Sequence, residues 1–200
     1  HFFGRSIYRE TNFIAGTYVF ISEFLVNFIY KNTPFAVVSK STLDEFIDRG
    51  FNSDLFKIVP NAIDQSQFPM EVREKNENPT ITYFGRLKKY KSVDHLLKAF
   101  AVVSKEIPES QLHILGKGDF MDYLKDLAKR TGIDDQTTFF GFVSEEDKVK
   151  LLSRSHLMVN TSMKEGWGIT NIEANACGTP VISADSPGLR DSVKKGLSGD

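Results

Sequence analysis

Short apolar runs alternate with amphipathic stretches through the second part of the chain. The runs have the length and the β-branched or aromatic content of strands, and the stretches between them repeat apolar residues at helical spacing. The predicted strands are 81–84, 112–115, 138–140, 157–160 and 181–183, and the predicted helices lie at 93–103, at 120–127, at 144–152 and around Glu173. Such alternation predicts an α/β fold, in which helices cover both faces of a parallel sheet and ligands bind at the carboxyl ends of the strands.

The chain before this alternation is less regular. A β-rich run over 35–38 is followed by a helix that Ser39 or Ser41 can cap, and then by a strand over 57–60. From Gln65 to Pro79 the sequence is polar and is the predicted linker. We therefore expect one part over 1–64, a linker over 65–79 and a second part over 80–200.

An apolar stretch from Phe13 to Tyr30 barely reaches the length of a membrane span, and it carries Glu23 and Asn27 near its middle. We therefore expect a buried helix of a globular domain, with a membrane span as the alternative. Asn160-Thr161-Ser162 is a formal glycosylation sequon. It closes an apolar run, so we interpret it as a strand end without a sugar.

Composition narrows the class of protein. The chain has 200 residues, of which 40% are hydrophobic, enough for one core or for one core and part of another. A net charge of -1 argues against a nucleic-acid partner. The single Cys177 excludes an intrachain disulfide framework, and the four scattered histidines give no metal-ligand spacing, so no metal site is expected. Because the chain starts at His1 and ends just after a helical pattern, we expect a piece of a longer protein.

Two carboxylates eight positions apart, Glu165 and Glu173, carry the most specific chemical signal. They flank the turn Gly166-Trp167-Gly168, which opens a helix that Thr170 or Asn171 can cap. The glycines let the backbone approach a ligand, and the N–H groups of the first helical turn form an anion site. Carboxylates beside an anion site suit a ligand that carries both hydroxyls and phosphate.

This stretch resembles the Glu-x7-Glu donor-binding motif of retaining GT-B glycosyltransferases, the large group 1 family that includes glycogen synthase-like enzymes and many lipid mannosyltransferases. The match continues through Ala174-Asn175-Ala176-Cys177-Gly178-Thr179-Pro180 into Val181-Ile182. The resemblance implies a GT-B fold. Residues 1–64 would be the end of an N-terminal acceptor domain, most of which is missing, together with the crossing, and residues 80–200 would be a Rossmann-like donor domain truncated at its C-terminus. It is strongest over 81–183, moderate over 35–64, where it implies the crossing between domains, and weak before Phe35. The alternative is a glycine turn between two solvated glutamates.

The loop from Gly85 to Lys91 leaves the first strand of the alternating region. Arg86 offers a planar fork for phosphate oxygens, and Lys91 offers a mobile point charge. The loop resembles the family's Gly-Arg-Leu…Lys-Gly motif, in which the Arg and the Lys hold the donor diphosphate. Ser92 stands where the family has glycine; we expect a small effect, because Ser can cap the next helix. A solvated basic loop is the alternative.

The resemblance assigns roles to these residues. Glu173 would accept hydrogen bonds from ribose hydroxyls, and Glu165 would contact the donor sugar or support the forming cation. Arg86 and Lys91 would stabilise the leaving diphosphate without a metal ion. The backbone amides that would bind sugar and phosphate belong to Gly166, Trp167, Gly168, Ile169 and Thr170.

Three further positions have open alternatives. The turn Gly116-Lys117-Gly118 either lies near the donor, as in the family, or is only a tight turn. Phe142 and Val143 either border the nucleobase, through backbone groups, or only pack. His1 resembles a histidine that contacts donor sugar and acceptor in relatives, or is a terminal residue without a function.

We expect the full-length protein to move a sugar from a nucleotide diphosphate sugar to a hydroxyl of a glycan, a lipid or a small molecule, with retention of configuration. No cofactor is expected, since the nucleotide sugar is a substrate. We expect a cytoplasmic enzyme, and contact of its missing domain with the inner face of the membrane stays open; this chain alone should be inactive. The alternatives are a non-catalytic nucleotide-sugar-binding module, which would not hydrolyse donor, and a nucleotide-sugar epimerase, which would need no acceptor.

Overall fold

The computed structural model describes residues 12–68 and 74–200. These residues form two compact units, one ending at Pro60 and the other beginning at Asn61. His1 lies outside the described residues, as does the stretch 69–73 of the predicted linker.

The described residues of the first unit form two α-helices and a pair of parallel strands. In chain order its elements are α1 (Phe13–Ile29), β1 (Phe35–Val37), α2 (Lys40–Ile47) and β2 (Phe56–Ile58). Ser39 caps α2 by accepting a hydrogen bond from the backbone N–H of Thr42 at 3.0 Å, as the sequence predicts. Rings of four phenylalanines on and around β1, α2 and β2 pack together into a small aromatic core: Phe35, Phe46, Phe51 and Phe56.

Helix α1 corrects one prediction. The apolar stretch is helical, but within this fully described helix only Gly16 is buried. Phe13, Ile14 and Phe28 are 77%, 82% and 81% exposed. The prediction of a buried helix is therefore wrong for the described residues. A helix that is apolar all round needs packing layers on all its sides, and the described residues leave most of its circumference uncovered. In the described part of the chain, no helix is both long and apolar enough to cross a membrane.

The second unit contains a five-stranded parallel sheet. Its strands are β3 (Thr80–Phe84), β4 (Gln111–Leu115), β5 (Thr137–Gly141), β6 (Leu157–Asn160) and β7 (Val181–Ser183). Its helices are α3 (Val93–Glu106), α4 (Met121–Thr131), α5 (Glu145–Arg154), α6 (Ile169–Ala176) and the short α7 (Leu189–Ser192). The five predicted strands are confirmed, with ends shifted by at most one residue.

Two apolar clusters line opposite faces of this sheet. Tyr83 belongs to the larger cluster, which contains residues of α3 and α4. Phe84, the next residue of β3, packs on the smaller cluster, which contains residues of α5 and α6. Because successive side chains of a strand point to opposite faces, helices cover both sides, and the predicted architecture is confirmed.

The end of the predicted linker is tied firmly to the second unit. The ammonium group of Lys75 donates hydrogen bonds to the carbonyl oxygens of Ser153 at 3.0 Å and Ser155 at 2.7 Å, at the end of α5. It also donates to the hydroxyl of Thr179 at 3.1 Å, just before β7. Burial lowers the pKa of Lys75. The position is favourable for a cation, because the carboxyl end of a helix carries partial negative charge. Through these hydrogen bonds, Lys75 holds the segment before β3 against the second unit.

Candidate functional site

Strands β3 and β6 lie side by side in the sheet, whose order is β5-β4-β3-β6-β7. From β3 the chain runs outward through β4 and β5, whereas from β6 it runs outward to β7. In a parallel sheet, such a switch in direction opens a crevice at the carboxyl ends of the strands, where ligands bind. The loops that border it are 85–92 and 161–168. These are the two loops that the sequence predicts to bind phosphate and sugar.

The loop after β3 is held by a buried tyrosine. The hydroxyl of Tyr83 donates to the carbonyl oxygen of Arg86 at 3.1 Å. Burial raises the pKa of Tyr83, and the negative charge of Glu165 raises it further, so the hydroxyl keeps its proton at neutral pH. The exposed guanidinium of Arg86 donates to the hydroxyl of Tyr90 at 3.1 Å. The backbone at Arg86 is therefore fixed, while its charged group faces solvent.

The turn after β4 packs directly against that loop. Gly116 has φ 137°, and a Cβ atom there would overlap the carbonyl oxygen of Gly85. A Cβ atom on Gly118 would overlap the carbonyl oxygen of Leu87. Close backbone approach thus explains both glycines of the Gly-x-Gly turn. A donor contact at Gly116 stays a prediction.

Ser92 corrects another prediction. It stands just before α3 in the left-handed region, with φ 53°, and its side chain makes no capping hydrogen bond to the helix. It therefore does not cap α3 as predicted. The left-handed backbone explains why glycine suits this position, since residues with a Cβ atom are strained there.

Lys91 and Glu165 meet across the crevice. The Lys91 ammonium donates to Oε1 of Glu165 in a tight ion pair, and the two side chains are only 12% and 19% exposed. The two loops are also joined through their backbones. The Thr161 hydroxyl donates to the Lys91 carbonyl oxygen at 2.9 Å, and the Met163 N–H donates to the Tyr90 carbonyl oxygen at 3.0 Å. Lys91, which is predicted to bind phosphate, and Glu165, which is predicted to bind the sugar, are therefore in direct contact.

The segment after β7 supports the Glu165 loop from behind. The N–H of Glu165 donates to the carbonyl oxygen of Pro187 at 3.1 Å. Gly188 has φ 83°, and a Cβ atom there would overlap the Glu165 carbonyl oxygen. The buried hydroxyl of Ser186 donates to the Ser162 carbonyl oxygen at 2.7 Å. This support was not predicted, because nothing local in the sequence marks the segment 186–188 as a neighbour of Glu165.

Helix α6 begins differently from the prediction. Gly168 is the N-cap residue, in the left-handed region with φ 78°, and no side chain among the described residues caps the helix. A Cβ atom on Gly168 would lie 2.7 Å from Cδ2 of Leu189. Thr170 and Asn171 lie inside the helix, so the prediction that one of them is the cap is wrong. The positive end of the helix dipole still faces the loop that carries Glu165.

A buried amide pair lies beneath this loop. Nδ2 of Asn160, at the end of β6, donates to Oδ1 of Asn171 at 3.0 Å, and both side chains are almost fully buried. Asn171 in turn donates to the hydroxyl of Ser192 at 3.0 Å. Asn160 is thus a strand end, as predicted. Buried amides are costly unless they are bonded, so this network fixes α6 relative to β6.

Glu173 has a different cationic partner from Glu165. Its Oε1 accepts a hydrogen bond from the Lys148 ammonium of α5 at 2.8 Å. Lys148 also donates to Oε2 of Glu145 at 2.5 Å. Lys148 was not predicted as a site residue, because three acidic residues precede it and the stretch has the pattern of a solvated helix face.

The family model for glycosyl transferases group 1 matches residues 64–199 of the chain. The chain belongs to this family. An uncharacterized glycosyltransferase of Methanocaldococcus jannaschii is 31% identical over 184 residues, which cover 85% of this chain and 47% of that protein. The poly(glycerol-phosphate) alpha-glucosyltransferase of Bacillus subtilis is 29% identical, with coverage of 81% of this chain and 24% of that enzyme. The chain therefore spans no more than about half the length of these relatives.

Solved structures of glycosyltransferases share the fold. Anabaena HepE in complex with UDP-glucose superposes with a TM-score of 0.75 at 21% identity, over 88% of this chain and 52% of HepE. The lipopolysaccharide outer core galactosyltransferase WaaB superposes with a TM-score of 0.70 at 26% identity, over 83% of this chain and 47% of WaaB. The predicted GT-B class is confirmed by these neighbours.

The remaining predicted residues of this group 1 glycosyltransferase chain lie around the same sheet edge. Phe142 follows β5 and is 77% exposed, with the Lys117 ammonium 5.9 Å from its ring centre. The indole N–H of Trp167 is buried and has no hydrogen-bond partner among the described residues. Nothing tests the roles assigned to Phe142, Val143 and Trp167, and they stay predictions. Within 12–68 and 74–200, no group of three His, Cys, Asp or Glu side chains could hold a metal ion.

Proposed function

We propose that the full-length protein transfers a sugar from a nucleotide diphosphate sugar to an acceptor hydroxyl with retention of anomeric configuration, and that the unit from Asn61 onward binds the donor. One observation carries the proposal. A cation and a carboxylate from adjacent strand ends, Lys91 and Glu165, meet at the switch point of a parallel sheet. This is the place where such folds bind nucleotides.

The charges suit cleavage of a glycosyl diphosphate. As the glycosidic bond breaks, negative charge grows on the leaving diphosphate and positive charge grows on the anomeric carbon. Arg86, Lys91 and the N-terminus of α6 would stabilise the negative charge on the diphosphate. Glu165 would stabilise the positive charge on the anomeric carbon. Fixed groups of this kind stabilise a transition state without reorganising, and no metal ion is required in this proposal.

Other residues at the same edge of the sheet bind the nucleoside. Glu173 accepts hydrogen bonds from ribose hydroxyls, and the turns at Gly116 and Phe142 border the base. The UDP-glucose bound to Anabaena HepE supports a nucleotide sugar as the donor class. The acceptor is a glycan, a lipid or a small molecule.

The test uses the full-length protein. A thermal-shift panel of UDP-, GDP- and ADP-sugars should show stabilisation by one nucleotide class, because only a ligand of the native state raises the melting temperature. Proton NMR of the product made from that donor should show the anomeric configuration of the donor. An inverted product would refute retention. Stabilisation without transfer to any acceptor, and without donor hydrolysis, would favour a binding module instead.

A further inference from the structure

Lys148 is a charged side chain in an unusual place. It lies on α5, and its side chain is only 3% exposed. Its ammonium lies 5.2 Å from the ring centre of Phe84, the last residue of β3, and 5.5 Å from that of Phe68. Burial lowers the pKa of Lys148, but hydrogen bonds to Glu145 and Glu173 outweigh this effect and the pKa is raised overall. The side chain is therefore a cation held between two aromatic rings.

The two carboxylate partners of Lys148 are not equivalent. Glu145 is three residues earlier on the same helix, and its side chain is 75% exposed. Glu173 lies on α6, and its side chain is 13% exposed. The exposed pair with Glu145 contributes little to stability. The hydrogen bond to the buried Glu173 carboxylate restricts the rotation of that carboxylate. Lys148 thus acts mainly on the orientation of Glu173.

Fold stability alone does not explain such a pair. Replacing a buried ion pair by apolar side chains of similar size is often neutral or stabilising. Phe68 and Phe84, the aromatic neighbours of Lys148, would accept a methionine in its place if Glu173 were also replaced by an apolar residue. A carboxylate offers about four acceptor positions, and Lys148 occupies one of those on Oε1 of Glu173. The others remain for hydroxyl donors such as those of a ribose.

We propose that Lys148 is a positioning residue, which holds the Glu173 carboxylate in the orientation that accepts hydrogen bonds from ribose hydroxyls and so sets the preference for ribonucleotides over deoxyribonucleotides. This inference rests on the proposed function, in which Glu173 contacts the ribose. It adds a residue of α5 to a site otherwise built from the loops after β3, β4, β5 and β6 and from α6.

The test compares ribo- and deoxyribonucleotides on the full-length protein. UDP, GDP and ADP are titrated by calorimetry, and the one that binds is compared with its 2′-deoxy and 3′-deoxy forms. Wild type should prefer the ribonucleotide by about ten-fold or more, since a hydrogen bond to a charged group is lost in the deoxy forms. Lys148→Met should reduce this preference to about three-fold or less, with little change in affinity for the deoxy forms. Lys150→Met, on the exposed side of the same helix, is the matched control and should leave the preference unchanged.

The outcomes separate the two proposals. No binding, or equal binding of ribo and deoxy forms by wild type, would refute the ribose site itself. A clear preference in wild type that Lys148→Met leaves intact would overturn the role of Lys148 alone. Equal weakening of both ligands would also overturn it, since that result indicates general loosening. If Lys148→Met does not fold, Lys148→Gln, which keeps an N–H donor, should fold and keep part of the preference; failure of both to fold would assign Lys148 to stability only.

Discussion

Replacing Glu165 by glutamine should tighten the binding of a free nucleoside diphosphate while it slows sugar transfer. Glu165 is the ion-pair partner of Lys91, which the proposed function assigns to the diphosphate. The diphosphate must therefore compete with the carboxylate for the same ammonium group, and it also meets the negative charge of Glu165. Glutamine keeps the shape of the side chain, removes the negative charge, and competes only as a neutral acceptor for the ammonium group.

The exposure of Lys91 and Glu165 determines how much free energy their ion pair contributes. Side chains that are 12% and 19% exposed lie between surface pairs, which contribute about 0–1 kcal/mol, and fully buried pairs, where loss of one partner costs about 3–5 kcal/mol. We take about 2 kcal/mol for the pair, and expect about half of it to oppose the diphosphate. Recovery of roughly 1 kcal/mol corresponds to about five-fold tighter binding. Turnover should fall by about 100-fold, because the carboxylate acts on charge that exists mainly in the transition state.

Calorimetric titration of the full-length protein with the nucleoside diphosphate measures the first effect, and initial rates at saturating donor measure the second. Glu146→Gln, which removes an exposed carboxylate from α5, is the control for the change in net charge. The gain in affinity should shrink at high ionic strength, because salt screens the repulsion. If Glu165→Gln weakens diphosphate binding as much as Glu173→Gln does, the reasoning is refuted.

Four further outcomes are expected. Arg86→Ala should weaken binding of the nucleoside diphosphate by about ten-fold or more and spare the bare nucleoside, because only the diphosphate makes the charge-assisted bond; equal losses in parallel titrations would remove Arg86 from the phosphate site. Gly116→Ala should lower the free energy of unfolding by about 2 kcal/mol or more in urea denaturation, since its Cβ atom would overlap the Gly85 carbonyl oxygen, and an unchanged midpoint would contradict the close approach. Ser92→Gly should raise the free energy of unfolding by up to about 1 kcal/mol in urea denaturation, by relieving the left-handed strain, and a loss of stability would contradict this account. EDTA should leave transfer by the full-length enzyme largely intact; complete loss that manganese or magnesium restores would overturn the metal-independent proposal.

Local pattern was sufficient for the elements of the second unit. Alternation of apolar runs and helical spacing gave all five strands of the parallel sheet, because both signals lie within windows of a few residues. For α1 the same reasoning predicted the helix but not its exposure. Burial depends on what packs against a helix, and the stretch from Phe13 to Ile29 does not contain that information.

Helix ends were predicted unevenly for a related reason. Ser39, one of the two predicted caps of α2, accepts a hydrogen bond from the backbone N–H three residues later, as Ser144 does at the start of α5. Asn171 has the right chemistry for a cap, but a buried network uses its side chain instead. Tertiary contacts thus override a local preference where the residue is enclosed.

The sequence by itself determined the family, the order of strands and helices, and the residues that carry the proposed chemistry. It did so because those signals are short and contiguous, as in the stretch from Glu165 to Ile182. Only the tertiary structure decided which charges meet. Lys91 reaches Glu165 across 74 positions, and Lys148 reaches Glu173 across 25. Ion pairs depend on distance in space and on burial, and the folding of the sheet sets both.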